Sequence, residues 1–427
     1  MSVAIFVGSL IAVMALGVPI AFALLVSSVG LMLYLDMFDS QIIAQNLVKG
    51  ADSFPLMAVP FFILAGELMN AGGISTRIVN FAMAFFGHIR GGLGYVAILA
   101  SVLFAGLSGS AVADAAALGA ILIPMMVKAG HDRNRSAGLI AAGGIIAPVI
   151  PPSIPMIIFG VSSGVSITKL FMGGIVPGIL LGIGLMITWW LVVRRDRAEV
   201  LPRKSAKEKW KATREALWAL LLPVIIVGGL RGGVFTPTEA AVVAAFYALF
   251  VGLVIYRELK IKDLYDVLVA AAKTTSVVMF LVAAAMVSAW LITVANVPTT
   301  LMNILQPLIG KQMLLLFAIL ILVLIIGTML DLTPMILILT PVLMPVIKMS
   351  GIDPVYFGIV FILAGCIGLL TPPVGTVLNV SCSVAKISIE DILKGIWPFL
   401  LVEIVVIVLV ILFPSIITVP LQWFTGM

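Results

Sequence analysis

Slid along itself by 221 residues, the sequence registers with itself without a gap over a long stretch, and nothing else in the chain constrains its fold as strongly. Ala97, Ile98 and Leu99 meet Ala318, Ile319 and Leu320; Gly106 meets Gly327; Pro124 meets Pro345; Gly130 and Asp132 meet Gly351 and Asp353. Further on, Gly144 meets Gly365, Pro151-Pro152 lands on Pro372-Pro373, and Gly174, Ile175 and Pro177 fall on Gly395, Ile396 and Pro398. Apolar residues coincide by chance in any hydrophobic protein. Glycines and a Pro-Pro pair coinciding at one offset indicate a duplication. The division expected is a first repeat at 1–193, a basic linker at 194–214 and a second repeat at 215–427.

The duplicated unit is not built for water. Of 427 residues, 62% are hydrophobic and 10% charged, and the mean hydropathy is +1.27, whereas soluble domains carry roughly 25% charged residues. Apolar runs of about 20 residues, enough for a ~30 Å hydrocarbon core, recur at 3–35, 170–193, 214–230, 237–256, 275–292, 313–330 and 399–418. Roughly ten to twelve crossings or part-crossings are expected on that spacing. The fold class is therefore all-α and polytopic. The N-terminal stretch lacks a basic n-region and stays apolar past any cleavage site, so it reads as a retained helix. Cys366 and Cys382 both lie in apolar sequence and read as packing residues.

Charge gives sidedness. The segment 194–215 carries nine Lys/Arg against four acids and reads as a solvated cytoplasmic loop rather than a nucleic-acid or lipid-specific surface. The cluster Arg257, Lys260, Lys262 then falls on the same side. The turn His131-Asp132-Arg133-Asn134-Arg135 is basic, whereas its repeat partner Ile352-Asp353-Pro354-Val355-Tyr356 has no Lys or Arg. The first is expected in the cytoplasm and the second in the periplasm, the mark of inverted-topology repeats. Such repeats hold substrate near the bilayer midplane in many secondary transporters.

Irregular backbone at membrane depth is tolerated only where it is buried in protein or faces a watery cavity. Four Gly/Pro/Ser/Thr clusters interrupt the apolar sequence at matching offsets: 106–111 and 147–153 in the first half, 327–334 and 368–375 in the second. Prolines remove amide donors and free carbonyls of the preceding turn. Those carbonyls, with Ser and Thr hydroxyls, can hold a sodium ion without a carboxylate, and exposed half-helix N-termini suit an anion. Proline-kinked helices packed through small residues would give a similar sequence at any one cluster; the recurrence of four favours broken helices around a site.

Intramembrane charges cost ~2.5 to 3.5 kcal/mol on insertion scales and mark pathways. Asp331 stands at a second-half break, aligned with Ser110, and is expected to line the substrate cavity. Glu67, Asp114, Lys273 and Asn379 are weaker candidates, each equally explained by helix packing. No phosphate-binding GxxxxGK[ST] motif occurs, so energy must come from an ion gradient or a partner. The only two histidines, His88 and His131, offer no zinc-ligand spacing and no nucleophile-base pair, which argues against an enzyme. No TVGYG-like filter suggests a channel.

At these clusters the sequence resembles the large permease subunit of TRAP (tripartite ATP-independent periplasmic) transporters, within the wider ion-transporter superfamily. The stretches that carry the resemblance are ADSFPLMAVPFFILAGELMNAGG (51–73), LSGSAVADAAALGAILIPMM (107–126), AAGGIIAPVIPPSIPMIIFG (141–160), GGVFTPTEAAVVAAFYALFVG (232–252), DLTPMILILTPVLMPV (331–346) and GLLTPPVGTVLNV (368–380). It implies a multi-pass inner-membrane importer, sodium-coupled, with re-entrant hairpins and an elevator-like movement. A small four-helix membrane subunit and a periplasmic substrate-binding protein are the implied partners, with no use of ATP. The implied sodium sites are Ser108 and Ser110 with carbonyls around Gly144, Ala147 and Ile150, and Gly327, Gly368, Thr371 and Val374. Ile150 has no hydroxyl where its partner Thr371 has one, so only its carbonyl could bind. The substrate cavity between them would use Ser110, Ser153 and Asp331. The implied cargo is a small organic acid, a sialic or sugar acid favoured over a C4-dicarboxylate. A divalent-anion or gluconate-type symporter acting alone is the alternative, and a membrane-embedded enzyme a remote one.

Overall fold

The computed structural model describes residues 2–194 and 200–426; residues 195–199 of the expected basic linker lie outside them. Every regular element among the described residues is helical. The first half holds α1 (Ser2–Ala15), α2 (Ile20–Tyr34), α3 (Ser40–Ala51), α4 (Ala58–Ala71), α5 (Ile74–Phe86), α6 (Gly92–Ser108), α7 (Ala111–Lys128), α8 (Arg133–Gly144), α9 (Ile154–Ser163) and α10 (Ile167–Val193). The second holds α11 (Ala206–Arg231), α12 (Pro237–Phe250), α13 (Leu264–Val294), α14 (Val297–Ile309), α15 (Gln312–Gly327), α16 (Leu332–Met349), α17 (Pro354–Gly368), α18 (Thr376–Ala385), α19 (Ile389–Leu412) and α20 (Ser415–Thr425).

The 221-residue offset carries into these bounds. Adding 221 to α7 gives 332–349, the span of α16, and adding it to α8 gives 354–365, the start of α17. The matching Gly-x-Asp turns show why. Gly130 and Gly351 follow α7 and α16 in left-handed backbone, at φ 92° and 69°, which glycine adopts without steric cost. Asp132 and Asp353 then cap α8 and α17, accepting from the amides of Arg135 at 2.8 Å and Tyr356 at 2.7 Å. A carboxylate there satisfies a donor that the first turn leaves without a partner.

Among the described residues, eight helical stretches are long and apolar enough to cross a bilayer, and eight shorter apolar helices accompany them. Two expected single spans are divided instead. The run 3–35 breaks between α1 and α2, where Gly17 has φ 82° and Pro19 cannot continue a helix; the run 399–418 breaks at Pro414, between α19 and α20. Residues 206–214 of the expected linker form the first turns of α11, started by a Ser205–Glu208 capping box.

The two halves interlock. α6 and α7 pack as the arms of a hairpin whose tip is 108–110, and α15 and α16 make the related turn in the second half. α8 passes through irregular backbone at 145–153 into α9, and α17 through 369–375 into α18. α9 and α18 have ten residues each, about 15 Å at 1.5 Å per residue, half of a ~30 Å core. α7 packs on α18 of the other half and, with the halves exchanged, α16 packs on α9; α8 packs on α19 as α17 does on α10. Phe159 on α9 meets Phe357 and Phe361 on α17 across this seam, with ring centroids 6.3 and 5.9 Å apart. Trp189 of α10 donates to the Gly91 carbonyl at 2.8 Å and stacks on Phe399 of α19.

Around this centre lie the peripheral helices. α13 packs on α2, α3, α4 and α16, and a buried Ser28–Ser288 hydroxyl pair 2.9 Å apart joins it to α2, a polar link suited to an apolar medium. Of the most apolar 18-residue window, 61% is buried in α10 but 28% in α11. α10 is therefore central, and α11 turns most of its apolar surface outward to lipid or to another subunit.

Candidate functional site

The four breaks meet in pairs. In the first half, a Cβ on Gly144 would lie 2.9 Å from the Ala111 carbonyl, and one on Gly109 2.6 Å from the Pro152 carbonyl. The hairpin tip 108–110 is therefore seated against 144–153, which brings Ser108, Ser110, Gly144, Ala147 and Ile150 into one region. Ser108 donates to the carboxylate of Asp114, and its Oγ accepts the Ser110 amide at 3.2 Å. Asp114 is fully buried, and its second oxygen has no partner among the described residues. A buried carboxylate oxygen beside a hydroxyl and a run of carbonyls forms a hard-oxygen environment that a small cation would complete.

The second half has a close contact of its own. A Cβ on Gly368 would lie 2.7 Å from Cα of Gly327, so only glycine allows α15 and α17 to approach this far. The Val374 amide donates to the Thr328 carbonyl at 3.0 Å, tying 327–330 to 368–375. Thr371 donates its hydroxyl to the Ile367 carbonyl at 2.9 Å, which leaves the oxygen lone pairs available. The Val374 carbonyl accepts from Asn379 at 2.6 Å, so Asn379 braces this turn. Both Pro151-Pro152 and Pro372-Pro373 are cis.

Between the two breaks lies a cavity of about 290 Å³. Three helix N-termini open onto it: Ser110 and Ala111 at the start of α7, Ile154 and Pro155 at α9, and Asp331, Leu332 and Thr333 at α16. The positive ends of helix dipoles favour an anion. The lining also takes in Phe62, Gly66, Glu67 and Asn70 on α4 and Thr274 and Val278 on α13. Asp331 accepts the Thr376 hydroxyl at 3.2 Å.

Of the residues expected around the substrate, Ser110 and Asp331 line the cavity and Ser153 does not. Ser153 is fully buried; its hydroxyl donates to the Pro148 carbonyl at 2.5 Å and accepts the Met156 amide at 3.2 Å. It is the N-cap of α9, and its neighbours Ile154 and Pro155 form the wall instead. Glu67 lines the cavity, whereas Lys273 is exposed beside the cavity residue Thr274. Asn70 and Thr274 went unmarked in the sequence because a lone amide or hydroxyl on a transmembrane helix carries no signal there. Cys366 and Cys382 are buried packing residues.

Opposed breaks from two interlocked repeats, meeting around a cavity onto which helix N-termini open, define a secondary transporter of the membrane. Residues 7–416 match the family described as "Tripartite ATP-independent periplasmic transporter, DctM component". The chain is 57% identical over 423 residues to the Escherichia coli 2,3-diketo-L-gulonate TRAP transporter large permease protein YiaN, covering 99% of this chain and all of that one. It is 40% identical to the Vibrio cholerae sialic acid large permease SiaM, over 93% of each chain. It is 39% identical to the Pseudomonas aeruginosa C4-dicarboxylate large permease DctM, over 88% of each. The Alcanivorax borkumensis YdaH transporter shares the fold, with a TM-score of 0.68 over 89% of this chain and 88% of that one at 14% identity. The chain belongs to the TRAP transporter family as a large permease subunit, a multi-pass protein of the bacterial inner membrane and not an enzyme.

Proposed function

We propose that this permease imports a small organic acid together with sodium, in a complex with a small four-helix membrane subunit and a periplasmic binding protein that delivers the substrate. The observation that carries the reading is the cavity shared by Ser110 and Asp331, flanked by two break pairs rich in oxygen ligands. One sodium ion would sit among Ser108, Ser110, Asp114 and the carbonyls of Gly144, Ala147 and Ile150. The other would sit among Gly327, Gly368, Thr371 and Val374. The orphan oxygen of Asp114 supports the first, and the close Gly327–Gly368 approach supports the second by bringing the C-terminal ends of α15 and α17 together.

The substrate carboxylate would lie against the N-termini of α7 and α9. The names of relatives that carry a diketogulonate, a sialic acid and a C4-dicarboxylate support an organic acid as cargo, with the 57% relative favouring a sugar acid. The inverted repeat supports an elevator-like exchange between two pseudo-symmetric states. Uptake into proteoliposomes containing the permease and its membrane partner, with the binding protein added outside, tests the reading. Uptake should require an inward sodium gradient; full uptake without sodium, or by the permease alone, would overturn the coupling or the partnership.

A further inference from the structure

We infer that the cavity selects a polyhydroxy monocarboxylate through its hydroxyl groups, with Glu67 and Asp331 as the acceptors that read them. The inference rests on the transporter reading above and adds to it the chemistry of the cargo. No Lys, Arg or His lines the cavity among the described residues. Positive potential would come from the helix N-termini and from the sodium ions proposed above. The charged side chains of the described lining are two carboxylates from different halves of the fold, Glu67 on α4 and Asp331 at the start of α16.

A carboxylate accepts hydrogen bonds and donates none. Asp331 has one oxygen engaged by Thr376, and Glu67 has no partner among the described residues. A ligand that satisfies this wall must bring donors, and a chain of hydroxyls does so with charge-assisted bonds. A second carboxylate on the ligand would meet the like charges of Glu67 and Asp331 with no basic side chain between them, which disfavours a dicarboxylate. Phe62 and Val278 supply apolar surface in the same lining for the C–H faces of such a chain.

Binding to the full-length permease in lipid nanodiscs tests this without the binding protein. Thermal stabilisation is read in sodium and in potassium with D-gluconate, hexanoate and succinate as probes. D-gluconate should stabilise in sodium with an apparent affinity at least about a hundredfold tighter than hexanoate, because a site built for hydroxyls rejects analogues that lack them. Succinate should be weaker than D-gluconate. Glu67→Gln should weaken D-gluconate about tenfold and leave the half-saturating sodium concentration unchanged. Succinate or hexanoate matching D-gluconate, or no probe binding while sodium alone stabilises, overturns the hydroxyl reading and leaves sodium binding intact. A shifted sodium requirement in Glu67→Gln would make Glu67 a cation ligand and overturn its assignment. Absence of any sodium effect in the unaltered protein would count against the transport reading itself. The probe ranking needs no variant, so a Glu67→Gln protein that fails to fold does not blunt the test.

Discussion

Ser110 and Asp331, 221 residues apart and related by the internal repeat, line the same cavity. Each starts the second arm of its hairpin, Ser110 as the cap of α7 and Asp331 at the head of α16. The repeat has thus placed a hydroxyl and a carboxylate at equivalent points of one enclosure, and the asymmetry between them is where selectivity can arise.

Replacing Asp331 by Asn keeps the shape and removes the charge. Transport by Asp331→Asn should fall on the order of tenfold, the scale of one lost charge-assisted hydrogen bond, while the amount inserted in the membrane stays the same. Uptake normalised to protein in membrane fractions checks this, and unaltered uptake would make the carboxylate purely structural.

Ser108 and Thr371 supply hydroxyl oxygens at the two break pairs. Ser108→Ala and Thr371→Ala should each raise the sodium concentration for half-maximal uptake several-fold. Asp114→Asn should do the same, since the orphan oxygen beside Ser108 then loses its charge. An identical sodium titration in all three variants would remove both assignments.

Gly368→Ala inserts a methyl 2.7 Å from Cα of Gly327, and overpacking of this kind costs ~1–3 kcal/mol. Its unfolding temperature should drop, whereas Gly310→Ala, with nothing within 4 Å of the added Cβ, should unfold close to the parent. Equal melting of the two would show that α15 and α17 are not held this close.

Sidedness is open to cysteine labelling. Arg133 and Met349 are exposed beside the two repeat-related turns. A membrane-impermeant maleimide applied from the periplasm should label Met349→Cys and spare Arg133→Cys, with buried Cys366 and Cys382 contributing little background. Labelling of both from one side contradicts inverted repeats.

What the sequence made legible was whatever depends on backbone chemistry. Gly130, Asp132 and their partners Gly351 and Asp353 mark turns that local rules dictate, and the four broken segments follow from Pro and Gly in apolar runs. The part of the cavity lined by α4 and α13 was not legible. α13 is one helix of 31 residues; less 221 it maps onto 43–73, where the first half breaks at Asp52–Pro55 between α3 and α4. The repeat therefore gives no guide to how Glu67 on α4 and Thr274 on α13 come together. In a chain whose helices are apolar on every side, periodicity does not separate a cavity face from a lipid face. Ser153 was misplaced for a different reason: a serine before Ile-Pro at a helix start is an N-cap, and the cap consumed the hydroxyl.

Because α7 rests on α18 and α9 on α16, neither half owns a finished floor or ceiling. A ribosome that has released residues 1–193 has delivered hairpin and half-helix surfaces whose counterparts are still to be made. The first half must then wait in the bilayer with carbonyls and a buried carboxylate lacking their final neighbours. Assembly of the cavity is in this sense a late event in the life of the chain, and truncations after α10 should yield inserted protein with no binding competence.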